Sequence, residues 1–203
     1  MGSYTIAAVV LAAGKSERMG RNKLLMEVGN YCLLDWVLDA LDSSSVNEVI
    51  VVLGHHPDEL EPIIERHNAK SVLNLDYEKG MASSVKAGLR HASGDAVFIV
   101  LGDQLGLKPQ LLNSMASLLL SDPKALIVSP IYQGKRGHPI LIRKPLFPEV
   151  QAMKEGETLR DIILRHEDVH RFVEGDAWSI MDIDTPEEFE RAKRLFESGC
   201  ASS

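Results

Sequence analysis

Short, continuous apolar runs alternate with segments of helical periodicity through the first two thirds of the chain. Residues 4–13 are almost wholly apolar, and "VIVVLG" and "AVFIVLG" are later runs of the same kind. Between them, residues 33–41 and "SSVKAGLRHA" place apolar side chains three or four positions apart. Continuous apolar runs suit strands that are buried on both faces. The repeated strand–helix pattern therefore predicts an α/β fold, a mostly parallel sheet with helices on both faces.

The last third of the chain is less regular. We predict a short strand in "GHPILI", helical pieces within residues 144–174, and a further strand in "WSIMDID". Pro186 then begins an amphipathic helix, because proline is favoured in the first turn. No repeat or linker interrupts the chain, so residues 1–203 are expected to form one domain, with residues 198–203 a flexible tail.

Composition narrows the class of protein. Apolar residues make up 45% and charged residues 25% of the 203 positions, as in soluble globular proteins. The net charge of −7 argues against nucleic-acid binding. Cys32 and Cys200 lie too far apart in sequence for a metal motif, and Cys32 is expected in the core. The first strand starts at once, leaving no room for a signal peptide or membrane span, so we expect a cytoplasmic protein.

The end of the first strand carries a concentrated positive charge. The strand stops at Gly14, and four cationic residues follow within ten positions: Lys15, Arg18, Arg21 and Lys23. Backbone N–H groups and cations at the carboxyl end of a parallel strand suit a phosphate group. A solvated basic loop is the alternative. A P-loop would need glycine where Val9 stands, and no G-x-G-x-x-G follows the strand.

Acidic residues follow two other predicted strands. Asp103 comes directly after "VFIVLG", while Asp182 and Asp184 follow "WSIMDID". Magnesium bound to polyphosphate is usually held by one or two carboxylates, so Asp103 with one of the other two would provide its ligands. Helix capping by Asp184 or Thr185 is the alternative.

The stretch "LAAGKSERMGRNKLL" is similar to the LAAGxSxRMGxxKLL signature of nucleotidyltransferases related to molybdenum cofactor cytidylyltransferase. The stretches "GMASSVKAGL", "LGDQ", "GKRGHP" and "DIDTPEEF" agree with the same family in order and spacing. The resemblance implies a Rossmann-like nucleotidyltransferase fold that transfers CMP from CTP to the terminal phosphate of molybdopterin, releasing pyrophosphate with the help of Mg²⁺. It also implies a pterin-type phosphate acceptor and a molybdenum hydroxylase as a possible recipient of the product.

The resemblance assigns roles to individual residues. Arg18, Lys23 and Asp103 are expected to be catalytic, with Arg18 facing pyrophosphate and Lys23 near the α-phosphate. Asp103 is expected to hold the metal ion together with Asp184, and Asp182 is the alternate ligand. The nucleotide is expected to contact Leu11, Ala12, Ala13 and Gly14, with its base near Ser83 and Ser84. The acceptor side is expected to include Arg136, Gly137 and His138. From the residues alone, "MASSV" could instead be a serine N-cap, and His138 could be structural.

Two sequence differences bear on specificity. The family's proline after "GDQ" is replaced by Leu105, which alters the loop beside the metal-binding acid. Guanylyl-transferring relatives carry Gly-Gly where this chain has Ala12 and Ala13, which favours cytidine over guanosine. The sequence is also compatible with nucleotide transfer to a sugar or alcohol phosphate, and with a non-catalytic chaperone that carries the pterin cofactor. A carrier has no need of a cation for the leaving group, so Arg18 argues against the chaperone.

Overall fold

An eight-stranded sheet dominates the computed structural model, which describes residues 4–200. The strands are β1 (Ile6–Ala12), β2 (Glu27–Val28), β3 (Tyr31–Cys32), β4 (Glu48–Leu53), β5 (Lys70–Leu73), β6 (Ala96–Leu101), β7 (Ile127–Tyr132), β8 (Lys135–Arg136), β9 (Ile140–Arg143) and β10 (His170–Glu174). The helices are α1 (Leu33–Asp42), α2 (Glu61–Arg66), α3 (Met81–His91), α4 (Pro109–Ser121), α5 (Phe147–Gln151), α6 (Leu159–Arg165) and α7 (Pro186–Cys200).

The sheet is mostly parallel, as predicted. Its strand order is β10-β7-β9-β6-β1-β4-β5, with β8 paired to β7 and with β2 and β3 forming a separate two-stranded sheet. Strand β1 pairs in parallel with β4 and β6, and β10 pairs in parallel with β7. Strand β9 is antiparallel to both of its neighbours, β6 and β7. The carboxyl ends of β1, β4 and β6 therefore share one edge of the sheet.

Helices cover both faces of this sheet. Ala8 and Val10 of β1 pack in the cluster that includes residues of α1, α2 and α4, while Ala7 and Val9 pack in the cluster of α3, α5 and α6. Alternate residues point to opposite faces because the side-chain period of a strand is two. A Cβ on Gly88 would lie 2.2 Å from Val9 Cγ1, so α3 packs closely against β1 only because position 88 is glycine.

The predicted strand in "WSIMDID" is wrong. A 3₁₀ turn, Ala177–Ile180, occupies its beginning, and the nearby strand is β10, within the stretch predicted to be helical. The Asp176 carboxylate accepts a hydrogen bond from the N–H of Trp178 at 3.0 Å, which favours the turn. The apolar side chains of Trp178 and Met181 pack against a cluster containing Ile183 and Phe189 instead of lining a sheet.

The structure describes the chain almost to its two ends. Helix α7 continues to Cys200, and positions 1–3 and 201–203, which include part of the expected tail, lie outside the described residues. Cys32 is buried, in agreement with its predicted place in the core. Within residues 4–200, no helix has both the length and the hydropathy that crossing a membrane requires.

Candidate active site

The ends of β1 and β6 lie side by side at the carboxyl edge of the sheet. Leu11 is paired with Leu101, and the N–H of Gly102 donates to the carbonyl oxygen of Leu11 at 3.0 Å. A Cβ on Gly102 would lie 2.9 Å from that oxygen, so the close approach of the two chains requires glycine. Asp103, the next residue, therefore lies beside the segment that follows β1.

Lys23 lies where these segments meet the chain before α7. Its Nζ forms an ion pair with Asp103 and another, at 3.0 Å, with Asp184 Oδ1, and it donates to the carbonyl oxygen of Ile183 at 2.9 Å. Burial alone lowers the pKa of Lys23, but the two carboxylates outweigh burial and the pKa is raised. The hydrogen bond from Lys23, with help from Arg18, lowers the pKa of Asp184.

A cavity of about 540 Å³ opens next to Lys23. Its walls include Ala13, Gly14 and Arg18 but, among the described residues, neither Leu11 nor Ala12, which belong to β1. Arg18 Nη2 lies 2.6 Å from Asp184 Oδ2. At the other wall, Lys15 Nζ lies 2.6 Å from Glu78 Oε1 and over the ring of Tyr77. The cavity thus presents backbone and cations together, which suits a polyphosphate.

Helix capping does not account for Asp184. Thr185 caps α7, because its Oγ1 accepts from the N–H of Glu188 at 3.2 Å, while Glu188 Oε2 accepts from the N–H groups of Asp184 and Thr185. The side chain of Asp184 is left to face Lys23 and Arg18. Asp182 is exposed and, in the described part of the chain, is not among the groups that contact Lys23.

Two carboxylates of this site fit a divalent cation. Residues 4–200 contain no group of three or more His, Cys, Asp or Glu side chains arranged to hold a metal ion. Asp103 and Asp184 nevertheless face the same ammonium nitrogen, so they already converge on one positive charge. Two carboxylates, completed by water and substrate phosphates, are a usual magnesium site, and these residues fit one.

The two serines predicted to read the base lie in the first turns of α3. The N-cap of this helix is Gly80, at φ 92°, so the simple serine-cap interpretation is wrong. Asn74, which follows β5 directly, donates from Nδ2 to Ser83 Oγ at 2.9 Å and to Ser84 Oγ at 3.1 Å. Asn74 was missed in the sequence; its only signal was a polar residue at the end of the run "KSVLNL".

The predicted acceptor-side residues line a larger cleft of about 1250 Å³, which Ser83 also lines. Arg136 pairs with Glu167, Nη2 to Oε2 at 2.8 Å, and its guanidinium lies over the ring of Phe172. Both backbone polar groups of His138 are hydrogen-bonded to other segments. Its N–H donates to the carbonyl oxygen of Ser179 at 2.8 Å, and its carbonyl oxygen accepts from Gln104 Nε2 at 2.6 Å.

His138 therefore lies next to the acidic loop rather than at the surface. Burial lowers the pKa of its imidazole, while the charges of Asp182 and Asp103 act in the opposite direction. Gly137 has no room for a side chain, since a Cβ would lie 2.1 Å from the oxygen of Ser179. The hydrogen bond from Gln104 to His138 therefore links the loop that carries Asp103 to the acceptor-side residues. The sequence did not single out Gln104.

The loop that lacks the family's proline is well packed. Leu105 is buried, and Gly106 has φ 77°, in the left-handed region that favours glycine. A Cβ at Gly106 would lie 2.4 Å from the ring of Trp178. The altered loop is therefore fixed against the turn that leads to Asp182 and Asp184.

Comparisons with known proteins agree with the fold and with the signature. A family model described as a MobA-like NTP transferase domain matches residues 8–169. The molybdenum cofactor cytidylyltransferase of Escherichia coli (strain K12) is 30% identical over 193 residues, 94% of this chain and 97% of that protein. The purine catabolism protein PucB of Bacillus subtilis (strain 168) is 32% identical over 206 residues, 96% of this chain and 98% of that protein.

Solved structures show the same architecture. Rv0371c from Mycobacterium tuberculosis H37Rv superposes with a TM-score of 0.85 at 23% identity, over 96% of this chain and all of that one (100%). A structure of Rv0371C in complex with manganese, from the same organism, has a TM-score of 0.79 at 21% identity, over 94% of this chain and 98% of that one. These likenesses confirm the Rossmann-like α/β fold.

Proposed function

Because this chain belongs to the MobA-like NTP transferase family, we propose that it transfers CMP from CTP to the terminal phosphate of a molybdopterin-type acceptor. The observation that carries the proposal is the position of Lys23 between Asp103 and Asp184, beside the cavity that begins at Ala13 and Gly14. The similarity to molybdenum cofactor cytidylyltransferase along 94% of the chain supports this choice of nucleotide and acceptor.

The reaction is an in-line displacement at phosphorus. An oxygen of the acceptor phosphate forms a bond to the α-phosphorus of CTP, and the bond from that phosphorus to the bridging oxygen breaks, so that pyrophosphate leaves with the electron pair. Such a reaction needs positioning and charge neutralisation more than covalent chemistry. Lys23 and Arg18 both line the cavity; Lys23 is suited to the α-phosphate, and the more exposed Arg18 is suited to the leaving pyrophosphate.

Asp103 and Asp184 would hold a divalent cation, in the proposal Mg²⁺, which when bound would neutralise triphosphate oxygens. Their shared partner is Lys23, whose ammonium group would lose these two ion pairs if a divalent cation took its place and would then be available to phosphate. The manganese complex of a structural neighbour supports a divalent cation in this fold.

The alanine residues at the end of β1 favour cytidine over guanosine in this proposal. Ala13 lines the cavity beside Lys23, whereas Ala12 is buried in β1 and does not line it; a Cβ added at Gly54 would lie 2.8 Å from that of Ala13, so the chain is tightly packed here. A methyl-bearing wall leaves less room for a purine than Gly-Gly does. Ser83, at the start of α3, lines the larger cleft and presents a hydroxyl group for the edge of the base, while Ser84, the next residue, is buried. The proposed reaction is cytoplasmic, with a molybdenum hydroxylase as the recipient of the dinucleotide product.

The test is a product assay with the full chain. The protein is incubated with Mg²⁺, purified molybdenum cofactor and either CTP or GTP; pyrophosphate release and the mass of the pterin product are measured. Cytosine dinucleotide formed at least about ten times faster than the guanine product is expected. Equal rates with both triphosphates would refute the cytidylyl assignment. Binding of the pterin without pyrophosphate release would support the non-catalytic carrier instead.

A further inference from the structure

Positive charge is concentrated around the larger cleft. Among the described residues that line it, seven are lysine or arginine and three are aspartate or glutamate, although the whole chain has a net charge of −7. The ion pairs of this lining join Asp76 to Lys79, Arg136 to Glu167, and Glu157 to Arg165. In the described part of the chain, one acid of the lining, Glu155, has no ion pair, and the same is true of five cations: Lys86, Arg90, Lys135, Lys154 and Arg160. The cleft therefore carries an excess of unpaired positive charge.

Lys86 is the most informative of these five cations. It is half-buried on α3, and its ammonium group donates to the backbone carbonyl oxygen of Met153, in the chain between α5 and α6. That chain continues to Lys154, and Arg90 lies one turn after Lys86 on α3, so three like charges share one wall of the cleft. Like charges four positions apart on a helix are destabilising, and a half-buried ammonium group without a carboxylate also costs free energy. Both costs would be offset by a ligand that brings negative charge to this wall.

We propose that this wall binds an oxyanion of the acceptor other than the phosphate that reacts. The basic wall consists of Lys86 and Arg90 on α3, Lys154 before α6, and Arg160 on α6. The inference rests on the proposed function, in which the reacting phosphate lies beside Lys23 and Asp103. In the described part of the chain neither Lys23 nor Asp103 lines the larger cleft, so the basic wall is available to a second group of the same molecule.

The rest of the lining indicates what joins the two anionic groups. His138 marks the side of the larger cleft next to the metal-binding acid, because the charge of Asp103 acts on the pKa of its imidazole. Apolar side chains also line the cleft: Val85, Ile99, Ile140, Leu159 and Ile163. A pocket that combines apolar surface with a few polar groups suits an organic ligand. The acceptor is therefore expected to have a partly apolar body, a phosphate that reaches Lys23, and a second oxyanion bound by lysine and arginine.

Arg160→Gln removes one charge of the basic wall at an exposed position, where the fold should tolerate the change. The dissociation constant of purified molybdenum cofactor is measured by pterin fluorescence without CTP, and that of CTP with Mg²⁺ is measured by calorimetry. Cofactor binding should weaken about tenfold, as expected for one lost charged hydrogen bond, while CTP binding stays unchanged. Arg160→Lys keeps the charge and should recover most of the affinity. Lys86→Gln should cause a loss of similar size.

Arg194→Gln is the matched control. Arg194 is an exposed arginine on α7 without an ion pair among residues 4–200, and it is not one of the residues that line the larger cleft. Its loss changes the net charge by the same amount, so it measures long-range attraction alone. Both dissociation constants should equal those of the unmodified protein.

Metal-free molybdopterin distinguishes two sources of the second oxyanion. If Arg160→Gln weakens the binding of this ligand as much as that of the molybdenum-loaded cofactor, the oxyanion belongs to the organic part of the acceptor. If only the molybdenum-loaded cofactor is affected, the oxygen atoms on the metal are the group that the basic wall binds. Either result supports the inference.

Unchanged cofactor binding in Arg160→Gln, or an equal loss in Arg160→Gln and Arg194→Gln, would overturn the inference. An equal loss in Arg160→Gln and Arg160→Lys would also overturn it, because shape and not charge would then be responsible. If Arg160→Gln does not fold, Lys86→Gln is judged by the same comparison with Arg194→Gln.

Failure of the proposed function is a separate result, because cofactor binding is measured without CTP. A protein that binds the cofactor through Arg160 but releases no pyrophosphate would refute the reaction and support the inference. A protein that makes the dinucleotide while Arg160→Gln binds the cofactor normally would do the reverse. If the cofactor does not bind at all, inorganic pyrophosphate is the probe, and nuclear magnetic resonance follows backbone N–H signals. Shifts at Lys86 and Arg160 larger than those at Arg194 would support the inference, and equal shifts would overturn it.

Discussion

Asp103→Asn should separate activity from stability. In the structure, the side chains of Asp103 and Lys23 are 16% and 19% exposed, so their ion pair is largely shielded from water. The substitution removes the charge of residue 103 but keeps the shape of its side chain and an oxygen that can accept a hydrogen bond from Lys23. Lys23 also keeps its other two partners, Asp184 and the carbonyl oxygen of Ile183. The expected loss of unfolding free energy is about 1–2 kcal/mol, the usual difference between a charged and a neutral hydrogen-bonding partner.

Activity should fall much further than stability. If Asp103 is a direct ligand of the divalent cation, the effect of its removal should exceed the roughly 10- to 100-fold effect typical of residues that only support a ligand. We therefore expect at least about 100-fold slower turnover at limiting Mg²⁺. Urea unfolding measures the first quantity, and initial rates over a range of Mg²⁺ concentrations measure the second.

Asp122→Asn is the control for the ion pair itself. Asp122 accepts from Arg171 Nε at 2.8 Å at the end of α4, with side chains 29% and 31% exposed, so its loss should reduce stability without altering turnover. Asp182→Asn tests the alternate ligand and should leave the Mg²⁺ dependence close to that of the unmodified protein. Near-normal turnover of Asp103→Asn at limiting Mg²⁺ would refute the reasoning.

Three further substitutions test other parts of the structure. Arg18→Ala should lower kcat about 100-fold with little change in KM for CTP, because the charge of Arg18 matters most as pyrophosphate leaves; a raised KM with normal kcat would contradict this. Ala13→Gly should reduce the kcat/KM preference for CTP over GTP by about tenfold, and an unchanged ratio would count against a steric origin. Burial lowers the pKa of His170 to about 4, so the folded state resists protonation that the unfolded chain accepts near pH 6.5. The stability contributed by neutral His170 is complete above about pH 6.5 and is lost as pH falls towards 4, by about 3 kcal/mol. The difference in unfolding free energy between the native protein and His170→Gln should therefore decrease by that amount between about pH 6.5 and pH 4. Parallel pH profiles of the two proteins in urea unfolding would contradict this.

The sequence was most informative where a local pattern determines a local structure. The apolar run that stops at Gly14 and the run that stops at Asp103 were recognisable because buried parallel strands have a distinctive composition. The adjacency of the two strand ends followed from the parallel topology, because parallel strands share a carboxyl edge. Lys23 pairs with Asp103 because β1 and β6 end at this same edge, and it pairs with Asp184 because the chain before α7 passes beside it.

Tertiary contacts explain the features that the sequence did not predict. "WSIMDID" has the apolar content of a strand, but the side chain of Asp176 and the packing of Trp178 favour a turn there. Strand β10 has only five residues, and its pairing with β7 joins positions more than 40 apart. Asn74 and Gln104 look like ordinary polar residues at strand ends, and only their partners in distant segments show what they hold.

The charge balance of the site explains how an acidic protein can accept a polyphosphate. Each of three cations faces a carboxylate: Lys15 faces Glu78, Arg18 faces Asp184, and Lys23 faces both Asp103 and Asp184. These pairs limit the repulsion among clustered cations, and the exposed ones contribute little free energy, so phosphate oxygens can displace them readily. A divalent cation bound to the freed carboxylates would compensate for the lost partners of Lys23. Nucleotide and cation should therefore bind cooperatively, each removing the groups that oppose the other.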